Sequence, residues 1–218
     1  LFEIRTKSGA VQAKAVVIAT GAEHKRLGVP GEERLAKRGV YYCAICDGPL
    51  FKGKDVVVAG GGNSAMGAAL LLSKIGANKV YVVDMSPALH GEEDVARQIK
   101  GNPKIAVFND STVEEMLGEK MLSGVRIKTA GQEKVLNAQG IFVEIGMEPA
   151  SEIVDFVKKN ERGEIVVNES CETSAPGVFA AGDVTNVLEK QIVVAAGEGA
   201  KAALSAARYL GRVTRWER

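Results

Sequence analysis

Cysteine is scarce in this 218-residue sequence: three residues, two of them Cys43 and Cys46. That is too few for the disulfide framework of a secreted domain, so a reducing, cytoplasmic compartment is the expectation. Net charge is nearly absent at +1, which argues against a dedicated nucleic-acid binder and against an acidic membrane surface as partner. No apolar run is long enough to span a bilayer. There is no repeat at solenoid spacing and no low-complexity tract. An initiator Met and a signal peptide are also missing: the chain opens on Leu1-Phe2-Glu3-Ile4, which reads as a strand already under way. The expectation is a protein without its natural amino-terminal segment.

What is present points to a globular α/β chain. Hydrophobic residues make up 46% and glycine 25 positions, many of them at strand-to-helix corners. Residues 1–22 read as a short strand, a turn at Ser8-Gly9 and a buried apolar strand, Ala15–Ala19. A βαβ unit follows: strand Asp55–Ala59, helix Ser64–Ile75 stopped by Gly76, and strand Lys79–Asp84. A short helix is expected over 92–100, strands near 104–108 and 123–129, and an apolar strand over 138–145. Beyond Pro149 the pattern predicts a helix over 151–159, a short strand at 165–167, a buried strand over 177–183 and a final helix from Gln191 to Leu210.

The first chemical motif is Cys43-Ala44-Ile45-Cys46-Asp47. Zinc needs four ligands, and Cys171, His24 and His90 supply no second pair at metal spacing, so no metal site is expected. An inert thiol pair or structural disulfide and a redox-active pair remain open. The stabilised thiolate common to CxxC motifs favours the redox pair. Asp47, directly after it, is placed to supply or receive a proton, or to cap the turn.

The second motif is Gly60-Gly61-Gly62-Asn63-Ser64-Ala65 between strand and helix. Gly60 makes the tight turn, Gly62 lets backbone approach a pyrophosphate, and Ala65 allows close helix–strand packing. The helix start then favours phosphate charge. Asp84, at the end of the next strand, can accept hydrogen bonds from the ribose hydroxyls of NADH and would repel the 2′-phosphate of NADPH. No Arg or Lys follows in Met85–His90 to hold that phosphate. Cys171 reads as a small packed apolar residue, and His24 and His90 receive no chemistry. Arg208, Arg212, Arg215 and Arg218 read as a solvated basic end.

The order Ala-Thr-Gly at 19–21, Cys-x-x-Cys-Asp-Gly at 43–48, Gly-Gly-Gly-Asn-Ser at 60–64 and Gly-Val-Phe-Ala-Ala-Gly-Asp at 177–183 resembles the low-molecular-weight thioredoxin reductases. Cys46–Asp55 and Gly197–Lys201 are more similar still to the reductase portion of the flavoprotein subunit of alkyl hydroperoxide reductase. The resemblance covers essentially the whole chain. It implies an α/β fold of two Rossmann-like nucleotide-binding domains, with parallel sheets, helices and a β-meander. Residues 24–146 would be the inserted NAD(P)H domain with the CxxC. Residues 1–23 and 147–218 would be an incomplete FAD domain.

By the same resemblance Ile145 and Gly146 join the NADH site. Thr20, Gly21, Gly182, Asp183, Lys190, Gln191 and Ile192 would line FAD. NADH would pass hydride to the flavin, and the flavin would reduce the Cys43–Cys46 disulfide. Cys46 would face the flavin and Cys43 would attack the disulfide of a thioredoxin-like or glutaredoxin-like protein, upstream of a peroxiredoxin. Ala22–Lys25 and Ile145–Pro149 would be hinges in a homodimeric enzyme.

Two departures from the family stand out. Asp84-Met85-Ser86 replaces the basic cluster of the NADPH-using members, which supports NADH. The GxGxxG segment that grips the ADP half of FAD is absent before residue 60. Weak or absent FAD binding by this chain is therefore expected, and a non-catalytic NADH-binding module or an NADH oxidase are the alternatives. The apolar runs Val16–Ala19 and Val178–Ala181 would lose sheet neighbours.

Overall fold

A computed structural model describes residues 1–216, so Arg218 of the basic end lies outside the described residues. The chain forms two compact units, one of Leu1–Glu23 with Met147 onward and one of His24–Gly146. The segments that pass between them, Ala22–His24 and Met147–Pro149, pair as a two-stranded sheet.

The unit His24–Gly146 is built on a five-stranded sheet in the order Val40–Tyr41, Gly140–Val143, Asp55–Ala59, Lys79–Val83 and Ile105–Phe108. Every pairing is parallel. The period of two along each strand divides the core. Val56, Val58, Val80, Val82 and Phe142 pack with Ala65, Met66, Ala69 and Leu72 of helix Asn63–Ile75. Val57, Ala59, Val83, Ile141 and Val143 pack with Val113, Met116, Val125 and Ile127 of an antiparallel meander. Its strands are Ser111–Leu117, Gly124–Thr129 and Gln132–Asn137. A strand buried on both faces needs apolar residues at every position, which is why these runs are continuous rather than alternating. Helix Asn63–Ile75 ends at Gly76 in the left-handed region, φ 109°, with its N–H on the Leu72 carbonyl.

The other unit has less sheet. Phe2–Thr6 and Gly9–Ala13 form an antiparallel hairpin, and a separate strand starts at Val16. The single strand Ala15–Ala19 expected after the turn is thus preceded by a hairpin arm that its mixed sequence, Gly-Ala-Val-Gln-Ala, does not announce. Val16–Ile18 pairs in parallel with Val178–Ala180, so these two runs neighbour each other. The helix expected over 151–159 does not form. Its backbone is used instead to bracket Ile165: Val166 N–H donates to Lys158 O, Asn160 N–H to Glu164 O, and Lys158 N–H to the Ser174 hydroxyl. Val154 and Val157 still bury, now from turns. Residues 165–167 contribute only isolated bridges at Ile165. The last helix runs from Ile192 to Trp216, longer than its sequence pattern indicates.

Candidate active site

Cys43 and Cys46 form a disulfide across one helical turn, Ala44–Asp47, with Cα atoms 5.3 Å apart. Cys43 caps the turn and its Sγ accepts the Cys46 N–H at 3.1 Å. Cys46 is exposed and Cys43 half-buried. A 3₁₀ turn, Gly48–Phe51, continues the segment and anchors it. Phe51 meets Phe142 edge-on at 5.3 Å and Tyr41 at 5.5 Å, and Ala44 is buried in the same cluster. At Gly48 a Cβ would come within 3.1 Å of Ile75 and 3.3 Å of Leu72, so the turn lies close on the helix of the βαβ unit. Asp47 is half-buried in the turn.

Upstream of the pair the structure adds a contact that sequence reasoning missed. Glu32 is 2% exposed. Its carboxylate accepts N–H groups from Leu27 at 3.1 Å and Gly28 at 2.7 Å and the Tyr42 hydroxyl at 2.9 Å. Burial, with the Glu32 hydrogen bond and charge adding to it, pushes the Tyr42 hydroxyl up to about 12. His24 stacks on Tyr42 with centroids 5.5 Å apart, so it has a structural partner after all.

The glycine loop follows strand Asp55–Ala59. Gly60 sits at φ 123° with its N–H on Val83 O, and a Cβ there would lie 2.4 Å from Glu144 O. At Gly61 a Cβ would lie 2.4 Å from Asp84 Oδ2. Only glycine fits either place, and this closeness brings loop, Asp84 and strand end Glu144 together. Asp84 is 6% exposed; its Oδ2 accepts Ser86 N–H at 3.2 Å and lies 3.4 Å from His90 Nδ1. His90, given no role above, also donates its N–H to Gly61 O. Asn63 Oδ1 takes the Glu92 N–H, so that carbonyl is used in holding the 90–92 segment over the loop. Ser64 is exposed and Ala65 buried against the sheet. Ile145 packs on the meander side, and Gly146, at φ 103°, accepts the Lys25 N–H.

Glu144 is the second residue that sequence reasoning missed. Burial pushes its carboxyl up to about 7, opposed by the Ala44 N–H, which favours the ionised form. A lone acid at the end of an apolar strand, Gly140–Val143, was the available signal.

In the other unit, Gly182 and Asp183 form a 3₁₀ turn directly after strand Val178–Ala180. A Cβ at Gly182 would come within 3.2 Å of Ala195 on the last helix. Asp183 Oδ1 is buried with no hydrogen-bond partner. Such an oxygen fits a hydroxyl donor from a bound group. Thr20 donates its hydroxyl to Ala150 O at 2.6 Å, and Gly21 sits at φ 75°. The Lys190 ammonium pairs with Glu164 at 2.9 Å and donates to the carbonyls of Asp183 and Thr185, so its charge is used to hold this turn. Gln191 and the exposed Ile192 stand at the start of the last helix. Cys171 is a packed residue: it is fully buried, and burial with the neighbouring Glu198 raises its thiol to about 11. Among the described residues no cluster of His, Cys, Asp and Glu could hold a metal ion, and no helix is long and apolar enough to cross a membrane.

Comparison with known proteins agrees with this geometry. Residues 2–199 match the model of the family described as pyridine nucleotide-disulphide oxidoreductase. A protein named NADH dehydrogenase from Bacillus subtilis is 41% identical over 216 residues, 97% of this chain and 42% of that protein. The F component of alkyl hydroperoxide reductase from Staphylococcus aureus is 42% identical over 215 residues, again 97% of this chain and 42% of that protein. The chain therefore spans less than half the length of these curated relatives. Among solved structures, thioredoxin reductase from Streptococcus pyogenes is 36% identical with a TM-score of 0.84, covering 95% of this chain and 69% of that one. Thioredoxin reductase from Giardia duodenalis is 35% identical with a TM-score of 0.89, covering 96% and 70%.

Proposed function

The chain belongs to the pyridine nucleotide-disulphide oxidoreductase family, and from that premise we propose that it is the dinucleotide and dithiol portion of an NADH-dependent flavoprotein disulfide reductase. The observation that carries this reading is the Cys43–Cys46 disulfide within the same compact unit as the Gly60–Ala65 loop. In this reading Gly60, Gly61, Gly62, Asn63, Ser64 and Ala65 receive the pyrophosphate of NADH at the helix start. Asp84 faces the ribose hydroxyls, and Ile145 and Gly146 border the nicotinamide end. Residues 24–146 are then the NADH domain. Residues 1–23 and 147–218 are a partial FAD domain.

When bound, FAD supplies two-electron acceptance between nicotinamide and disulfide. Thr20, Gly21, Gly182, Asp183 and the helix start at Lys190, Gln191 and Ile192 would hold it. The unpartnered Asp183 Oδ1 is the feature of this chain that fits it. The GxGxxG segment that grips the ADP half of FAD is absent before residue 60, and in this reading the chain alone holds flavin weakly.

The chain's own residues divide the sulfur chemistry. Reduction breaks the Sγ–Sγ bond. The Cys46 N–H on Cys43 Sγ stabilises a thiolate there, so Cys43 is the sulfur that attacks the disulfide of a thioredoxin-like or glutaredoxin-like partner. Cys46 then attacks Cys43 to resolve the mixed disulfide with the partner, and Asp47 handles its proton. The presence of one buried free thiol besides the pair suits a reducing cytoplasm.

The test is NADH-dependent reduction of a small aromatic disulfide by the purified chain with added FAD. Activity abolished by Cys43→Ser and by Cys46→Ser supports the reading. Turnover with oxygen that survives Cys43→Ser points to an NADH oxidase. NADH binding without turnover at any FAD concentration leaves a nucleotide-binding module.

A further inference from the structure

His90 lies in no strand or helix, yet its segment is held on the glycine loop. Its N–H donates to Gly61 O at 3.0 Å, and the Glu92 N–H donates to Asn63 Oδ1 at 2.8 Å. Between them, a Cβ at Gly91 would run into Met66 Cε and Asn63 Oδ1. The backbone thus fixes where the imidazole stands, while the side chain itself is 55% exposed. Nδ1 lies 3.4 Å from Asp84 Oδ2. Nε2 and Cδ2 are the atoms that a Cβ at Gly62 would meet, at 3.4 Å and 3.8 Å. One ring therefore borders both the Asp84 carboxylate and the start of helix Asn63–Ile75.

Gly62 indicates what the second edge of the ring is for. Its φ of −84° is open to any residue, and a Cβ there would make only ordinary contacts. Gly60 and Gly61 are required by the chain's own packing; Gly62 is not. Glycine at 62 keeps clear the approach between the helix start and Nε2, where the helix dipole favours an anion. The tautomer follows from Asp84. A carboxylate oxygen only accepts, so the nitrogen that faces it carries the hydrogen. In the neutral ring Nε2 is then a bare acceptor, which repels a phosphate oxygen; in the imidazolium it is a donor. The charged group facing the ring is Asp84. The loop Gly60–Ala65 carries none, and helix Asn63–Ile75 has no acid in its first turn. On the side of His90 itself Glu92, Glu93 and Asp94 follow, and Asp84–Asp94 contains no Lys or Arg.

We infer that His90 is a phosphate-binding residue of the dinucleotide site whose contact is made only by the protonated ring, so that NADH binding takes up a proton there. This rests on the dinucleotide reading of Gly60–Ala65. Nε2 takes the proton from solvent and donates it in a hydrogen bond to a pyrophosphate oxygen; no other bond forms or breaks. With Nδ1 committed to Asp84, the ring has one edge to offer, and that edge faces the helix start and not the ribose. Histidine changes charge between about pH 5 and 8, so the uptake falls in the working range of an enzyme.

Calorimetric titration of the whole chain with NADH near neutral pH, in two buffers of different ionisation enthalpy, counts the protons taken up on binding. Wild type should take up a measurable fraction of a proton. His90→Gln, polar but unable to titrate, should take up none. ADP-ribose, which has the pyrophosphate without the nicotinamide, should give the same pair of results. From about pH 6 to about pH 8.5 the Kd of wild type for NADH should rise several-fold. His90→Gln should stay weak throughout and His90→Lys, cationic across that range, should stay tight. Each variant keeps the backbone N–H on Gly61 O, so its melting temperature should stay near that of wild type. Equal proton counts in wild type and His90→Gln, or parallel pH curves, would overturn the inference and leave the dinucleotide site standing. A wild type that binds neither NADH nor ADP-ribose would sink both.

Discussion

The Tyr42 hydroxyl donates to Glu32 Oε1 at 2.9 Å, one residue ahead of Cys43. The same buried carboxylate holds the N–H groups of Leu27 and Gly28, so one acid ties the loop after the unit boundary to the approach of the disulfide. Tyr42→Phe keeps the ring on His24 and removes one hydrogen bond to a carboxylate. Such bonds contribute ~1.5–3 kcal/mol, and urea denaturation should show a loss near the middle of that range. Glu32→Ala should cost more, because the backbone N–H groups of the half-buried Leu27 and the exposed Gly28 lose their acceptor along with the Tyr42 hydroxyl. The double variant should cost less than the sum, since both remove the same bond. Additive costs would show that the two residues act separately.

Asp183 Oδ1 is buried without a partner, which is unfavourable for the chain by itself. Asp183→Ala therefore removes no internal hydrogen bond at that oxygen. Its thermal midpoint should stay within a few degrees of wild type. FAD binding, followed by quenching of flavin fluorescence at high concentration, should fall at least tenfold from whatever level the wild type shows. A large drop in melting temperature with unchanged flavin binding would mean that Asp183 is structural.

Much of the nucleotide unit was legible in the sequence because each element there obeys one rule. Asp55–Ala59, Lys79–Val83 and Gly140–Val143 are continuous apolar runs because both their faces are covered. Gly76 ends its helix because only glycine takes φ 109° cheaply. The meander was half legible. Gly124–Thr129 buries enough to show, but in Gln132–Asn137 only Leu136 is buried, so the strand is fixed by pairing and not by pattern. Residues 151–159 failed for the opposite reason. Val154 and Val157 have helical spacing, but Ile165 and Asn160 draw the backbone into bridges and turns. In the site, the cysteines and glycines announce themselves by type and spacing. Glu32 and Glu144 do not, because a carboxylate becomes informative only once burial and a facing N–H are known.

Gly61 and Asp84 are locked by shape. A Cβ at Gly61 would lie 2.4 Å from Asp84 Oδ2 and 2.9 Å from Asp84 Cβ, too close for a rotation of the carboxylate alone to relieve. Gly61→Ala must displace Asp84 and with it the Ser86 N–H and His90 contacts. NADH affinity, read by quenching of protein fluorescence or by calorimetry, should fall at least tenfold. In an Asp84→Ala background the further effect of Gly61→Ala should be smaller, because the approaches to Oδ2 and Cγ are gone and only the 2.9 Å approach to Cβ remains. Asp84→Ala should also narrow any preference for NADH over NADPH. An unchanged preference would remove Asp84 from the selectivity of the site.

Glu144 gives the chain a stability profile with a definite sign. Its carboxyl is raised from 4.5 to about 7 in the folded protein because burial disfavours the charge. The unfolded chain therefore ionises first as pH rises. The stability tied to this group is fully present below the unfolded value and is lost as pH rises through about 7. A tenfold change in proton affinity corresponds to about 1.4 kcal/mol, so the loss is on the order of 3 kcal/mol before allowance for partial exposure of the side chain. Glu144→Gln cannot ionise and should lack this component. The difference in unfolding free energy between wild type and Glu144→Gln, measured in urea from pH 4 to pH 8, should move steadily in favour of the variant between pH 4.5 and 7. A difference that does not change with pH would show that Glu144 titrates as an ordinary surface carboxyl.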